Sequence, residues 1–480
     1  MSDYEAVRSH FDRFAHEQEE WAEKSSGYRA YHRAIRGIAR SFVPPGERVL
    51  EIGCGNGDVL ASVQPSVGVG VDVSQEMLAI ARRRHPELRF VTGIGEELDL
   101  GETFDYVVLL DLVPYAHDLQ ALFGAVGRHC HPRTRVLVST YNNAWRPLLA
   151  LAASLGRRPR RPVRNWVAPR DLSNLAELEG LEVVAERKEI LLPAGSPLLA
   201  CISNGLLARL PGLRALDVSH WMIARPVAAA GGDWGVSVIV PCRNEAGSIA
   251  EIVARVPEMG RGTELVFVEN GSTDDTRTRI EEQIATSDRQ ISLIVRETPG
   301  KWEAVQAGFA AARHEVLMIL DADLSVAPED LPKFYDAIAT GRGELINGSR
   351  LVYGMEEEAM RFLNLVGNKF FAGVMSAILG QYVKDTLCGT KVLLRGDWER
   401  IQKLRAHLGP HDPFGDYHLL LGAALLGLKV VNIPVRYGAR TYGKSNMRRF
   451  SYGGTLTRLA LAAYRRLWID PVTSDTTTYG

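Results

Sequence analysis

The run 316–324, VLMILDADL, constrains this chain more than any other stretch. Its five apolar residues, Val316 to Leu320, leave no polar face, so it reads as a strand buried on both sides, the habit of parallel sheets. Asp321 and Asp323 follow at once, one residue apart. In open α/β sheets, ligands bind outside the carboxyl ends of the strands. Two carboxylates this close repel each other unless a cation lies between them. Mg²⁺ or Mn²⁺ carrying a diphosphate meets that need, because such an ion takes one or two carboxylates and completes its shell from phosphate oxygens. The competing reading is a solvated turn, with Asp323 or Ser325 capping the next helix.

The strands upstream favour the ligand. The run 236–240 ends in Pro241-Cys-Arg-Asn244-Glu245, the run 265–268 ends in Glu269-Asn270-Gly-Ser-Thr-Asp-Asp275, and a third spans 291–295. Helical patterns at 248–255, 276–284 and 302–313 separate them. Polar clusters therefore collect at strand carboxyl ends, along one edge of a sheet.

The first half repeats this strand–helix alternation without repeating the sequence. After forty residues of helical pattern rich in Arg, Glu and aromatics comes Arg48-Val-Leu-Glu51-Ile-Gly53-Cys-Gly55-Asn-Gly57, a short strand running into a glycine turn. Gly53, Gly55 and Gly57 let the backbone turn tightly and approach a ligand. Fifteen residues on, the strand 67–71 ends in Asp72, an acid placed to accept both hydroxyls of a ribose. Together these point to a nucleoside-type cofactor. The third glycine comes one residue too early for the dinucleotide fingerprint G-x-G-x-x-G.

The length, 480 residues, accommodates roughly two to four domains. A formal net charge of -1 argues against a nucleic-acid binder. Cys54, Cys130, Cys201, Cys242 and Cys388 lie far apart with no metal-ligand spacing, as expected of ordinary thiols in a reducing compartment. The charged opening residues are not a signal peptide, and Pro193, Gly195, Pro197 and Gly205 interrupt the longest uncharged stretch, 190–208, so no spanning helix is expected. The small-residue stretch 226–233 reads as a linker. The expected division is a first domain at 1–228, a linker at 229–235 and a second domain at 236–470.

The runs VLEIGCGNG, VGVDVS and FDYVVLLDLV closely resemble the class I S-adenosylmethionine-dependent methyltransferases. The resemblance implies that Glu51, Gly53, Gly55, Gly57 and Asp72 bind S-adenosylmethionine, that Asp111 and Leu112 line it, and that Gly95 and Glu96 frame its adenine. Ile94 departs from the family, which often has an aspartate there. The methyl acceptor is not readable. Tyr115, His117 and Tyr141 follow strand ends where an acceptor fits, but packing or a surface hydrogen bond is the better account of each. The run 157–164 carries five arginines and no acid, beside apolar stretches. That combination suits either an anionic membrane interface or a solvated loop with a helical cap over the pocket.

VSVIVPCRNE, VENGSTDDT and DADL, in that order, resemble the family 2 glycosyltransferases with the A-type nucleotide-sugar fold. The resemblance implies a nucleotide-sugar donor lined by Pro241, Asn244, Glu245, Glu269 and Asn270, with Asp321 and Asp323 on the metal and diphosphate and Lys301 opening a helix near the donor. Asn270 stands where relatives carry an aspartate, and Trp302 where they carry a glycine, narrowing that region. Downstream, the likeness narrows to the polyprenyl-phosphate sugar transferases of the dolichyl-phosphate mannose synthase type. Arg350 in Asn347-Gly-Ser-Arg350 is suited to bidentate phosphate binding. The run 384–391 resembles the acceptor-side motif, and the run 436–447, with Arg440 and Lys444, resembles the mobile basic loop. The apolar stretch 362–383 suits an interfacial helix pair. Relatives often continue into spanning helices, so attachment here is expected to be peripheral, on the cytoplasmic face of the membrane.

These features lead to an α/β protein of two Rossmann-like units and a bifunctional enzyme. One unit moves a sugar to a lipid phosphate or glycan, with Arg440 and Lys444 closing over the leaving group, and the other methylates an unknown acceptor. Asp416 in Phe414-Gly-Asp-Tyr417 is the base for a hydroxyl acceptor, a positioning group for a phosphate acceptor, or a helix cap. The alternative is a glycosyltransferase whose first half binds S-adenosylmethionine, or docks, without turnover.

Overall fold

The structure is a computed structural model; it describes residues 3–156, 165–191, 196–209, 213–227, 232–352, 362–438 and 449–473. The chain forms two compact units: Met1–Val227 together with the segment that begins at Arg465, and Ala228–Tyr464. Residues 465–470, which the expected division put in the second domain, thus cluster with the first unit. Pro471 packs so closely on the helix Ser26–Phe42 that a Cβ at Gly37 would meet its carbonyl oxygen. Arg187 is sandwiched between the rings of Phe42 and Trp468, at 4.6 and 4.7 Å.

In the first unit, β1 (Arg48–Ile52), β2 (Val67–Asp72), β3 (Arg89–Thr92), β4 (Phe104–Leu109), β5 (Cys130–Tyr141), β6 (Leu181–Glu189) and β7 (Ser219–Pro226) form one sheet of order β3-β2-β1-β4-β5-β7-β6. The first five run parallel, and β7 lies antiparallel between β5 and β6. Side chains alternate across the sheet. Leu50, Ile52, Val107, Leu109 and Val138 enter one core, while Val49, Tyr106, Val108 and Leu137 enter the other. Both faces are buried, which is why these strands read as continuous apolar runs. Caps fix the helix starts: Ser25, Ser74 and Asp118 accept from Tyr28, Met77 and Ala121 backbone N–H groups.

In the second unit, β8 (Val236–Cys242), β9 (Thr263–Asn270), β10 (Ile291–Arg296), β11 (Val316–Ile319), β12 (Leu345–Ser349), β13 (Lys391–Leu394) and β14 (Val430–Pro434) form a sheet of order β10-β9-β8-β11-β13-β12-β14. Only β13 runs against its neighbours, β11 and β12. Val238, Val240, Phe267, Met318, Leu320 and Val392 centre the core. The stretch 362–383 holds one helix, Phe362–Leu379, rather than the expected pair; it packs on Arg449–Tyr464 and on Asp416–Leu425, both from farther down the chain.

Candidate functional sites

Each sheet has a switch point where the strand order reverses, β1 beside β4 in the first unit and β8 beside β11 in the second. The expected site residues sit at the carboxyl ends of these strands and their neighbours.

In the first unit a cavity of about 420 Å³ opens over β1, β2 and β4. Glu51, Gly53, Gly55, Asp72 and Asp111 all line it. Gly53 and Gly55 adopt φ of 78° and 52°, the left-handed region that a Cβ disfavours, and nothing would meet a Cβ at Gly55, so the turn is open toward the cavity. Asp72 accepts from the Gly55 N–H at 2.8 Å and the Ser74 N–H at 2.9 Å, so one carboxylate braces the glycine turn and the next helix. Burial pushes the Asp72 carboxyl up despite these donors. Glu51 is buried, its carboxyl is pushed well above the usual range by desolvation, and its Oε2 has no hydrogen-bond partner among the described residues. A ligand donor satisfies such an atom.

Two expected contacts fall elsewhere. Gly57 faces away from the cavity, where a Cβ would meet the Phe90 ring; it is needed for close packing against β3 rather than ligand approach. Glu96 does not line the cavity, because its Oε1 accepts from the His117 N–H at 2.8 Å, while Gly93 and Gly95 line it instead. Tyr115 lines the cavity, edge-on to Phe11, but His117 and Tyr141 do not. Tyr141 and Tyr31 both donate to Asp111, which itself sits at φ 54°. The opposite wall, missed in the sequence, comes from the helices Asp3–Lys24 and Ser26–Phe42, through Phe11, Phe14, Arg33 and Arg36. Asp12 latches the first of these helices by accepting from Ser74 Oγ at 2.6 Å.

In the second unit the loops after β8 and β9 are stitched together. Thr273 N–H donates to Asn244 Oδ1 at 2.8 Å, Glu245 N–H to Thr276 Oγ1 at 2.9 Å, and Ser272 N–H to Glu269 Oε1 at 2.5 Å. This places Pro241, Asn244, Glu245, Glu269 and Asn270 on one ledge. Asn270 Oδ1 is buried with no hydrogen-bond partner among the described residues, an acceptor free for a ligand.

Beside the ledge, Lys301 Nζ lies 2.5 Å from Asp321 Oδ1. Burial works against both charges, but the pairing wins: Asp321 is held below the usual carboxylate range, with Arg350 and Lys391 assisting, and Lys301 above the usual lysine range. Asp323 Oδ1 accepts from Ser325 N–H at 3.0 Å and Ser325 Oγ at 2.7 Å, so it turns the chain; neither residue caps the helix that follows, whose N-cap is Ala327. Gly389 leaves no room for a Cβ against Asp321 Oδ2, so only glycine lets the backbone reach this carboxylate. Two carboxylates at a strand end are a hard-oxygen donor set that fits Mg²⁺ or Mn²⁺ sharing a diphosphate, with Lys301 yielding its place on Asp321. Among the described residues, no group of three or more His, Cys, Asp or Glu offers a complete protein-only metal site.

Asp416 begins the helix Asp416–Leu425 and pairs with fully buried Lys391, Oδ1 to Nζ 2.6 Å. Burial pushes its carboxyl up, and Lys391 and Lys301 only partly offset that. It is not the cap. Asp412 does that work, accepting from the N–H groups of Phe414, Tyr417 and His418. Arg350 does not present its fork to a ligand. Its Nε and Nη2 grip Asp385 at 2.7 and 2.9 Å, and its guanidinium lies over the Tyr437 ring. Trp302 is buried, seated so tightly under Gly415 that a Cβ there would enter its ring, so it supports the Asp416 helix rather than narrowing the donor region. Arg440, Lys444 and the arginine run 157–164 lie outside the described residues.

Residues 237–397 match the model of glycosyl transferase family 2, and residues 26–186 that of a methyltransferase domain. The chain is 30% identical over 214 residues to an uncharacterized glycosyltransferase of Mycobacterium tuberculosis, covering 44% of this chain and 89% of that one. It is 29% identical over 221 residues to the dolichol-phosphate mannosyltransferase of Pyrococcus furiosus, covering 44% of this chain and 59% of that one. Among solved structures, the magnesium protoporphyrin IX methyltransferase of Synechocystis aligns with a TM-score of 0.35 at 15% identity, over 47% of this chain and 100% of that one. Through its second unit the chain belongs to the family 2 glycosyltransferases, and its first unit is a methyltransferase domain with the class I fold.

Proposed function

We propose that the chain is a bifunctional transferase. The second unit moves a sugar from a nucleotide-sugar to a polyprenyl phosphate or glycan, and the first moves a methyl group from S-adenosylmethionine to a separate acceptor. The observation that carries the first activity is the pairing of Lys301 with an ionised Asp321 at the switch point of an A-type sheet. The polyprenyl phosphate assignment draws on the Pyrococcus relative, whose name specifies dolichol phosphate.

Bound on Asp321 and Asp323, Mg²⁺ or Mn²⁺ would supply charge stabilisation for the departing nucleoside diphosphate. The ledge around Asn270 holds the nucleotide, and Lys301 moves from Asp321 toward a phosphate oxygen. An acceptor phosphate is already ionised near neutral pH and attacks the anomeric carbon directly, inverting it, so no general base is required. Asp416 then anchors Lys391 and aligns the sugar; with a hydroxyl acceptor it would serve as the base. Arg440 and Lys444, which lie outside the described residues, would add positive charge to the leaving group. In the first unit, Glu51, Gly53, Gly55 and Asp72 hold the cofactor, and transfer depends mainly on aligning acceptor and methyl group.

Among the described residues no helix is long and apolar enough to cross a membrane. Val366 and Phe370 are 49% and 65% exposed on the helix Phe362–Leu379, and they support peripheral contact where the lipid acceptor resides. The test is transfer from UDP- and GDP-sugars, with and without a short polyprenyl phosphate, in the presence of Mg²⁺, Mn²⁺ or chelator. Metal-dependent transfer to the lipid is expected. Transfer that is indifferent to chelator would remove the metal from the scheme, and transfer only to hydroxyl acceptors would restore Asp416 as the base.

A further inference from the structure

The cavity of the first unit has two chemically different walls. The strand ends contribute Glu51, Asp72 and Asp111. The facing helix, Ser26–Phe42, carries Arg29, Arg33, Arg36 and Arg40 and no Asp or Glu in 17 residues. Arg29, Arg33 and Arg36 line the cavity. Spacings of four and three place them on one helical face, as neighbours. Among the described residues, nothing beyond Tyr115 lines the cavity, so these arginines stand where the sequence allowed a cap from the stretch after Trp145.

This helix is held from behind. Ala34 and Ile38 enter the core, and Gly37, next to Arg36, lies under the Pro471 carbonyl. The guanidiniums therefore ride on a packed element rather than a loop. Arg29 is exposed and donates to the Glu23 carbonyl at 2.9 Å, whereas Arg33 and Arg36 are half-buried. The Arg36 guanidinium makes no hydrogen bond or ion pair among the described residues.

The acids of the cavity are engaged elsewhere. Asp58 is paired with Arg84 and His85 at 3.1 and 3.0 Å, Asp111 accepts from the Tyr31 and Tyr141 hydroxyls, and Asp72 braces Gly55 and Ser74. S-adenosylmethionine brings one carboxylate, which occupies one guanidinium. Filling the rest of the cavity with a neutral acceptor would strip water from the other half-buried cation and give nothing back. Phe11, Phe14 and Tyr115, with Phe11 edge-on to Tyr115 at 5.1 Å, offer an apolar flank beside it.

We propose that the methyl acceptor of the first unit is an anion: a small molecule with a carboxylate or phosphate on an apolar body, the anion held by Arg33 or Arg36 and the body against Phe11, Phe14 and Tyr115. This rests on the reading of the unit as an S-adenosylmethionine methyltransferase and names the class of its acceptor. The acceptor's oxygen or nitrogen takes the methyl group as the sulfur–methyl bond breaks toward sulfur, and its proton leaves to water.

The test uses the full chain saturated with S-adenosylhomocysteine and follows binding of phenyl phosphate, benzoate and neutral benzyl alcohol by ligand-observed NMR titration. At least one anion is expected to bind, and its preference over the other tells phosphate from carboxylate; benzyl alcohol is expected not to bind. Of Arg33→Gln and Arg36→Gln, at least one should weaken the anion roughly tenfold, the scale of a charge-assisted hydrogen bond, with S-adenosylhomocysteine affinity unchanged. The matching Arg→Lys variant should recover part of the loss. Four results would overturn the proposal: no anion binding by a parent that binds S-adenosylhomocysteine, equal binding of benzyl alcohol, anion binding that neither variant changes, or parallel loss of anion and S-adenosylhomocysteine in both, which would leave the arginines to the cofactor's own carboxylate. A parent that does not bind S-adenosylhomocysteine would overturn the cofactor reading, and this inference with it.

Discussion

The two switch points share one geometry and opposite electrostatics. In the methyltransferase unit, buried Glu51 and half-buried Asp72 have no cationic partner among the described residues, and desolvation raises both carboxyls. In the glycosyltransferase unit, Asp321 and Asp416 are each bonded to a lysine, and Asp321 is held low. The ligands of the proposed activities would account for the contrast. A sulfonium cofactor with ribose hydroxyls is met by acceptors at the strand ends, while the cavity's arginines, Arg33 and Arg36, stand on the opposite wall. A nucleoside diphosphate brings negative charge of its own, so the carboxylates that meet it need cations already present. The same strand-end position serves both because the neighbours, not the fold, set the charge.

The comparison is broken most severely by stranding a charge. Lys391→Met leaves buried Asp416 without its partner and is expected to cost about 3–5 kcal/mol in urea unfolding of the second unit. The double variant K391M/D416N should recover most of it. A loss below about 1 kcal/mol would mean that the pair is solvated and the contrast overstated. Next comes Asp321→Ala, expected to lower sugar transfer by roughly 10²–10³-fold, the scale of losing a preorganised charge at a reacting centre. S-adenosylhomocysteine affinity should not change, and a parallel loss would count against separate sites. On the other side, Asp72→Ala should weaken S-adenosylhomocysteine binding by about 1–3 kcal/mol, measured by calorimetry. Unchanged affinity would reduce Asp72 to a brace for Gly55 and Ser74.

Much of this was legible because strand-end chemistry is local. β1, β4, β8, β9 and β11 declare themselves as apolar runs, and the acids after them need only the sheet to be brought together. What was not legible is non-local pairing. Arg350 looks free for a phosphate until Asp385, 35 residues on, takes both arms of its fork. β13 is four residues long and its lysine, Lys391, hides the apolar pattern; only Asp416, 25 residues later, explains a buried lysine in a strand. The Asp412 cap had a local signal, an aspartate before Pro413, whose ring disfavours a helical conformation at the residue preceding it. The arginines of the helix Ser26–Phe42 were visible as composition, but which of them line the cavity depends on which face of the helix meets the sheet.

The finest expected difference is in acid. Burial alone would raise the Asp385 carboxyl, but the Arg350 guanidinium overrides it and holds the pKa at about 2, against an ordinary value of 3.8. The unfolded state therefore binds the proton first, and the group stabilises the second unit above pH 3.8, losing up to about 2 kcal/mol as pH falls toward 2. Glu51 has the opposite sign. Its folded carboxyl keeps the proton above 4.5, where the unfolded one releases it, so the ligand-free first unit loses stability as pH rises from 4.5. Hydrogen exchange of β1 and β12 amides, which reports each unit separately, should show protection falling with rising pH in the first and with falling pH in the second. Glu51→Gln should flatten the first trend and leave the second alone. If both units weaken together in acid, with Glu51→Gln silent, Glu51 is ionised in the fold and the carboxylate that lacks a cation at the first site is compensated after all.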